Sequence, residues 1–271
     1  MNEIALFENS DDFALLYSAS TSGAPSIARA RINRDANVED ADENLVSVPA
    51  PSIALRDPSE QEYFSKEAYM RIYFDTMQTA VFDSDAEKYT NMSSHFKDFS
   101  KPALDWQGGD KCGWIPSKMK EKLRTSDPVA FASANKVKLY RHLFGTLRME
   151  DPVSPGNDGP NEVKDVPFRM RLGPSNFMEV SSVLGGLLKQ KVNPASVELK
   201  IDFELNKRGS NKWFTLKYKP IMTNIIELDS DYKILLDDFF DLVKYENEQV
   251  SEKMRENSND VVDSFDDVLE A

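Results

Sequence analysis

Cysteine occurs once in the 271 residues, at Cys112, and histidine only twice, at His95 and His142. A lone thiol excludes an intramolecular disulfide framework, and so few soft ligands exclude a thiolate-type structural zinc site. No stretch approaches the ~18 apolar residues expected of a membrane-spanning helix, and Met1 to Glu8 has neither a basic segment nor an apolar run of signal length. The expectation is a soluble, cytoplasmic protein with no membrane partner. No Walker-type loop, G-x-S-x-G elbow, H-E-x-x-H pair or G-x-G-x-x-G turn is found, so none of the common catalytic or nucleotide-binding signatures is present. No cofactor is implied, and no period of 20 to 50 residues recurs to suggest a repeat protein.

What the chain does have is charge, unevenly placed. The net charge is -13, yet residues 1–93 hold 7 basic and 17 acidic residues, residues 94–226 hold 22 and 14, and residues 227–271 hold 4 and 15. A basic middle between acidic ends can bind a polyanion with its centre while the ends keep the chain soluble or compete for the same surface.

The pattern of residues suggests four regions. Residues 1–62, rich in Ser, Ala, Asn, Asp and Pro from about Ser18, read as a flexible acidic arm. Residues 63–226 read as the core. It begins with two β-prone runs, Ala68 to Phe74 and Thr79 to Phe82, taken as two strands or a hairpin, followed by a loop and connector over 98–135. A long strand or arm from Lys136 to Met149 and a strand from Val166 to Leu172 come next. Asn176 and Glu179 have capping-box spacing, and Val180, Val183, Leu184, Leu187 and Leu188 then form one apolar helical stripe, weakened by Gly185-Gly186 at about 1 kcal/mol per glycine. Val197 to Leu205 alternates strictly, and a Gly-containing turn leads into a returning strand, Lys212 to Pro220. Residues 227–256 form a C-terminal helix with Leu235, Phe239, Leu242 and Val243 as its stripe, and residues 257–271 an acidic tail. The fold class expected is mainly β with helices, an OB-like barrel with a helix between its third and fourth strands, plus the C-terminal helix and a disordered acidic tail.

Period-2 geometry assigns faces to these strands. In the last strand Trp213, Lys217 and Lys219 oppose Phe214, Leu216 and Tyr218; in the second, Arg169 and Arg171 point away from Phe168 and Met170. In the long arm Lys136, Lys138, Tyr140, Phe144 and Arg148 share the side opposite Leu143 and Leu147. Lys207, Arg208 and Lys212 make a basic turn. Cations interleaved with rings suit single-stranded nucleic acid, whose phosphates need charge and whose unstacked bases gain about 1 to 3 kcal/mol on an aromatic face. Each cation alone reads better as a solvated surface position; the coincidence over three strands carries the argument.

Asp260 to Glu270 holds five acids and no base with spaced apolar residues, the composition of a docking segment. Together, the segment Val166 to Phe177, the Glu198 strand, the Lys212 to Pro220 strand and this tail resemble the single-stranded DNA-binding proteins of DNA bacteriophages. Those pair an OB-type core with an acidic, Phe-containing C-terminal tail. The resemblance implies a single-stranded DNA partner and no catalysis, with replication or recombination proteins recruited through Asp263, Phe265, Asp266, Asp267 and Leu269. The sequence departs from better-known members in that Phe265 lies six residues inside the end.

Two other classes compete. Glu198, Asp202 and Glu204 with Lys200 supply half of a metal-dependent nuclease motif, without the Pro-Asp half, and Asp105 with Asp110 flank a glycine pair that a turn explains equally well. A virion or scaffold protein would use the 231–255 helix to form a homo-oligomer.

Overall fold

The computed structural model describes residues 27–40, 43–83, 85–155 and 162–269, with side chains through residue 258. Its strands are β1 (Ala28–Asn33), β2 (Asn37–Glu39), β3 (Leu45–Ser47), β4 (Ser52–Arg56), β5 (Glu62–Ser65), β6 (Glu67–Asp83), β7 (Lys88–Met92), β8 (Val137–Glu150), β9 (Glu162–Leu172), β10 (Val197–Arg208) and β11 (Asn211–Ile225). The helices are α1 (Ser117–Ser126), α2 (Pro128–Lys136), α3 (Phe177–Lys189) and α4 (Ser230–Leu269). The protein is mainly β, its principal sheet curled into a half-barrel. It divides into two compact units, one joining Ser26–Asp75 to His142–Asp238 and one joining Thr76–Arg141 to Phe239–Ala271.

In the first unit the sheet order is β11-β10-β6-β8-β9-β1-β4-β5. As the sequence pattern predicts, α3 lies between β9 and the β10–β11 hairpin. Its Val180, Leu184 and Leu187 close over Met70, Leu147, Phe168, Leu199 and Leu216 in one buried cluster. Each such side chain contributes about 1.5–3 kcal/mol when fully buried. The capping box does not form. The Asn176 carboxamide oxygen instead accepts the Leu216 N–H at 2.8 Å, and Glu179 accepts from Lys217 at 2.5 Å, so both side chains tie the helix start to β11.

The flexible arm expected through residue 62 is corrected for residues 28–56. Ala28-Arg29-Ala30-Arg31 alternates buried alanine with exposed arginine in β1, which pairs antiparallel with β4 and parallel with β9. Alanine is too weakly apolar to announce a strand, but its small side chain fits under two neighbours. β2 and β3 form a separate ribbon, and Val38 and Val48 pack on Ala54 and Phe64. Residues 1–26, 41 and 42 of the expected arm lie outside the described residues.

The expected pair of strands between residues 68 and 82 is one 17-residue strand, β6. In the second unit its far half pairs with β7. Thr76 and Gln78, polar residues between the two expected runs, are buried and hydrogen-bonded: Thr76 Oγ1 lies 2.8 Å from His95 Nδ1, and the Gln78 amide donates to the Ser93 carbonyl at 2.9 Å. In α4, Phe239, Leu242, Val243 and Val250 are buried. Glu246 Oε2 is 2.8 Å from His95 Nε2, Asn247 Oδ1 accepts the His95 N–H, and Asn257 donates to the Trp106 carbonyl at 2.7 Å.

The 98–135 connector is corrected too, since it holds α1 and α2. α2 carries its own signal, Asp127 accepting the Ala130 N–H as N-cap with Pro128 behind it. α1 buries no residue, and its two apolar side chains, Met119 and Leu123 one turn apart, are too few to reveal it. Among the described residues no helix is long and apolar enough to cross a membrane.

Candidate nucleic-acid interface

The basic turn is the outer end of a two-stranded finger. β10 pairs with β6 only over Leu199 to Ile201, and beyond it the ladder continues with β11 alone to Arg208↔Asn211, closed by Gly209 at φ +63 and Ser210. Glycine takes that left-handed conformation without a Cβ clash, which keeps the loop to two residues.

Register decides which side chains share a side. Leu205↔Phe214 and Lys207↔Lys212 lie on one face, Asn206↔Trp213 and Arg208↔Asn211 on the other. Lys207, Arg208 and Lys212 are exposed, Leu205 is 55% exposed, and Trp213 and Phe214 are half-buried. Lys207 and Lys212 share their face with Phe214, and Arg208 shares its face with Trp213, so each face keeps one ring and at least one cation. From Leu205 to Phe214 there are three basic residues and no acid. Among the described residues none of the three has an ion-pair partner.

Other predicted cations are neutralised. Lys217 Nζ lies 2.5 Å from Glu179 and 3.1 Å from Glu204, and these bonds raise its pKa. Lys219 pairs with Asp202. Arg148 donates to Glu198 at 2.9 Å and Glu150 at 2.6 Å, lies 3.9 Å over the Tyr69 ring, and has its pKa raised first by the Glu198 bond. These pairs also spend Glu198, Asp202 and Glu204 on a ladder of ion pairs along the strand, with Lys200 bound to Glu67 at 2.6 Å.

Phe144 as a base-stacking ring is a correction. It is fully buried and stacks on Phe74, centroids 4.6 Å apart and planes 4° apart. Period 2 gives each side chain its side of the strand, but β8 is buried on both sides from His142 to Leu147. Arg169 and Arg171 are half-buried on β9 and engaged with other groups.

Lys136, Lys138 and Tyr140 belong to the second unit. Lys136 ends α2, Lys138 donates to the Asn135 carbonyl at 2.8 Å, and both are exposed, while Tyr140 is half-buried and engaged. The lysine-rich α1, within the expected connector, adds Lys120. Burial and then the charge of Lys138 lower its pKa.

Asp105 and Asp110 are occupied by the turn they make. Asp105 accepts the Gln107, Gly109 and Cys112 N–H groups, and Asp110 accepts the Ala103 N–H and pairs with Lys111. Cys112 is buried, and burial pushes its thiol up to about 12, so no thiolate nucleophile is available near neutral pH. The side chains of Asp263, Phe265, Asp266, Asp267 and Leu269 lie outside the described residues, although the α4 backbone is helical to Leu269.

No protein-family model, curated protein or solved structure matches the chain.

Proposed function

We propose that the chain binds single-stranded DNA without sequence preference and without catalysis. In this reading it acts in phage-type replication or recombination in the host cytoplasm, and its acidic C-terminal segment recruits partner enzymes. The observation that supports this most is the acid-free end of the β10–β11 finger, where Lys207 stands directly opposite Lys212 with Arg208 beside them. Like charges directly opposite destabilise a strand pair, and a polyanion laid against them removes that cost. Rings on both faces suit a strand whose bases are unstacked, and a duplex would not need them.

The test is fluorescence anisotropy of a labelled oligo-dT over a series of salt concentrations, with the full chain and the triple variant Lys207→Glu, Arg208→Glu, Lys212→Glu. The logarithm of affinity should fall linearly with that of salt, by about 0.7 per phosphate contacted. The triple variant should bind at least tenfold more weakly. Absence of binding at low salt, together with a defined oligomer, overturns the reading in favour of a scaffold protein. Equal affinity for a duplex also overturns it, and shortening of the labelled strand on Mg²⁺ addition identifies a nuclease.

A further inference from the structure

We infer that Arg56, Arg29 and Arg169, side by side on three neighbouring strands of the first unit, form a second phosphate-binding site for the backbone of a single nucleic-acid strand. The inference rests on the single-strand reading above and adds a site that the finger does not contain.

Register alone makes the row. β1 runs antiparallel to β4 with Arg29 opposite Arg56, and parallel to β9 with Arg29 opposite Arg169. Directly paired residues point to the same side of a sheet, and neighbouring strands are about 4.8 Å apart. The residues alternating with the row, Ala28, Ala30, Leu55, Phe168 and Met170, are all buried in the core, so the three arginines share the opposite side.

Charge then asks for a ligand. At the flank Arg56 pairs with Glu60, an exposed acid, and one pleat along β1 Arg31 pairs with Glu62 at 3.1 Å. Arg29, in the middle, is exposed and has no acidic partner among the described residues. Its cross-strand neighbours are both guanidinium groups already engaged, Arg56 with Glu60 and Arg169 with other groups, so among the described residues Arg29 is the cation of the row left without a counter-charge. A phosphate oxygen pair is the group that a guanidinium fork binds bidentately, and a row of forks across strands can follow successive phosphates.

The experiment uses the full chain, the Arg29→Glu and Arg29→Ala variants, and the finger triple variant, each titrated with labelled oligo-dT over several salt concentrations and each melted without DNA. Arg29→Glu gives its neighbours a counter-charge, so it should melt no lower than wild type while binding about tenfold more weakly, the equivalent of one charge-assisted hydrogen bond. Its salt slope should be shallower by about 0.7. Arg29→Ala should also melt no lower than wild type. Unchanged affinity and slope for both Arg29 variants, with binding lost in the triple variant, overturn the row and leave the finger standing. A lowered melting temperature for Arg29→Ala with unchanged slope assigns Arg29 a structural role and likewise overturns the row. If wild type does not bind, the single-strand reading fails and takes the row with it, an outcome distinct from both others.

Discussion

A Cβ built on Gly145 would lie 1.8 Å from the Arg71 carbonyl oxygen and 3.2 Å from the Ile72 Cα, both on the neighbouring strand β6. Ordinary contact begins near 3.4 Å, so Gly145→Ala forces β8 and β6 apart by more than an ångström at a point where both are buried. Overpacking of this kind costs about 1–3 kcal/mol, and each ladder hydrogen bond stretched or lost adds about 1 kcal/mol, so a loss of about 3 kcal/mol is expected. The control is Gly185→Ala in α3, where nothing lies within 4 Å of the new Cβ. There the same chemical change should stabilise by about 0.5–1 kcal/mol, because alanine restricts the unfolded chain and favours the helix. In urea denaturation with a slope of about 1–3 kcal/mol/M, the Gly145→Ala midpoint should drop by about 1 M or more and the Gly185→Ala midpoint rise by a few tenths. A neutral or stabilising Gly145→Ala, or two variants moving the same way, would refute the close approach of the strands.

Phe144→Leu should cost about 1–2 kcal/mol through loss of the Phe74 stack and leave oligo-dT affinity within about twofold; a stacking ring would show the reverse, with affinity down and the urea midpoint unmoved. Asp110 should show an acid limb. Burial opposes its ionised form, but the Ala103 N–H and the Lys111 ammonium outweigh burial and hold the carboxyl below the usual aspartate range. A depressed folded pKa contributes stability present above the unfolded value and lost as pH falls through the folded one. The urea-midpoint gap between wild type and Asp110→Asn should therefore be full at pH 6 and shrink below about pH 4, and a gap constant down to pH 2 would contradict the pairing. Cys112 should resist a thiol-specific reagent at pH 8 in the native protein and react at once in denaturant; rapid native labelling would mean that the thiol is not buried.

Where alternation of strongly apolar and charged residues was strict, the local pattern was enough. Val197, Leu199 and Ile201, then Leu216 and Tyr218 of the returning strand, and Val180, Leu184 and Leu187 of α3 are buried where period 2 and period 3.6 put them, whereas Leu205 and Leu188, at the ends of their patterns, are exposed. The basic finger was legible as well, its cations flanking a glycine turn. The β1 strand was not, because Ala28-Arg29-Ala30-Arg31 carries too little apolar surface to signal burial, and only the large residues of β4 and β9 beside it make the site buried. Phe144 and Arg148 were misassigned for a related reason. Parity says which residues share a side, but whether that side is wet depends on what packs there, and which cation is free depends on where the carboxylates of other strands arrive. The amino-acid sequence by itself determined the secondary-structure periods, the basic middle and the finger. Tertiary structure alone decided that β6 is one strand, that the side of β8 carrying Phe144 is dry, and that three arginines from distant segments stand in a row, because strand register and burial are set by partners far away in the chain.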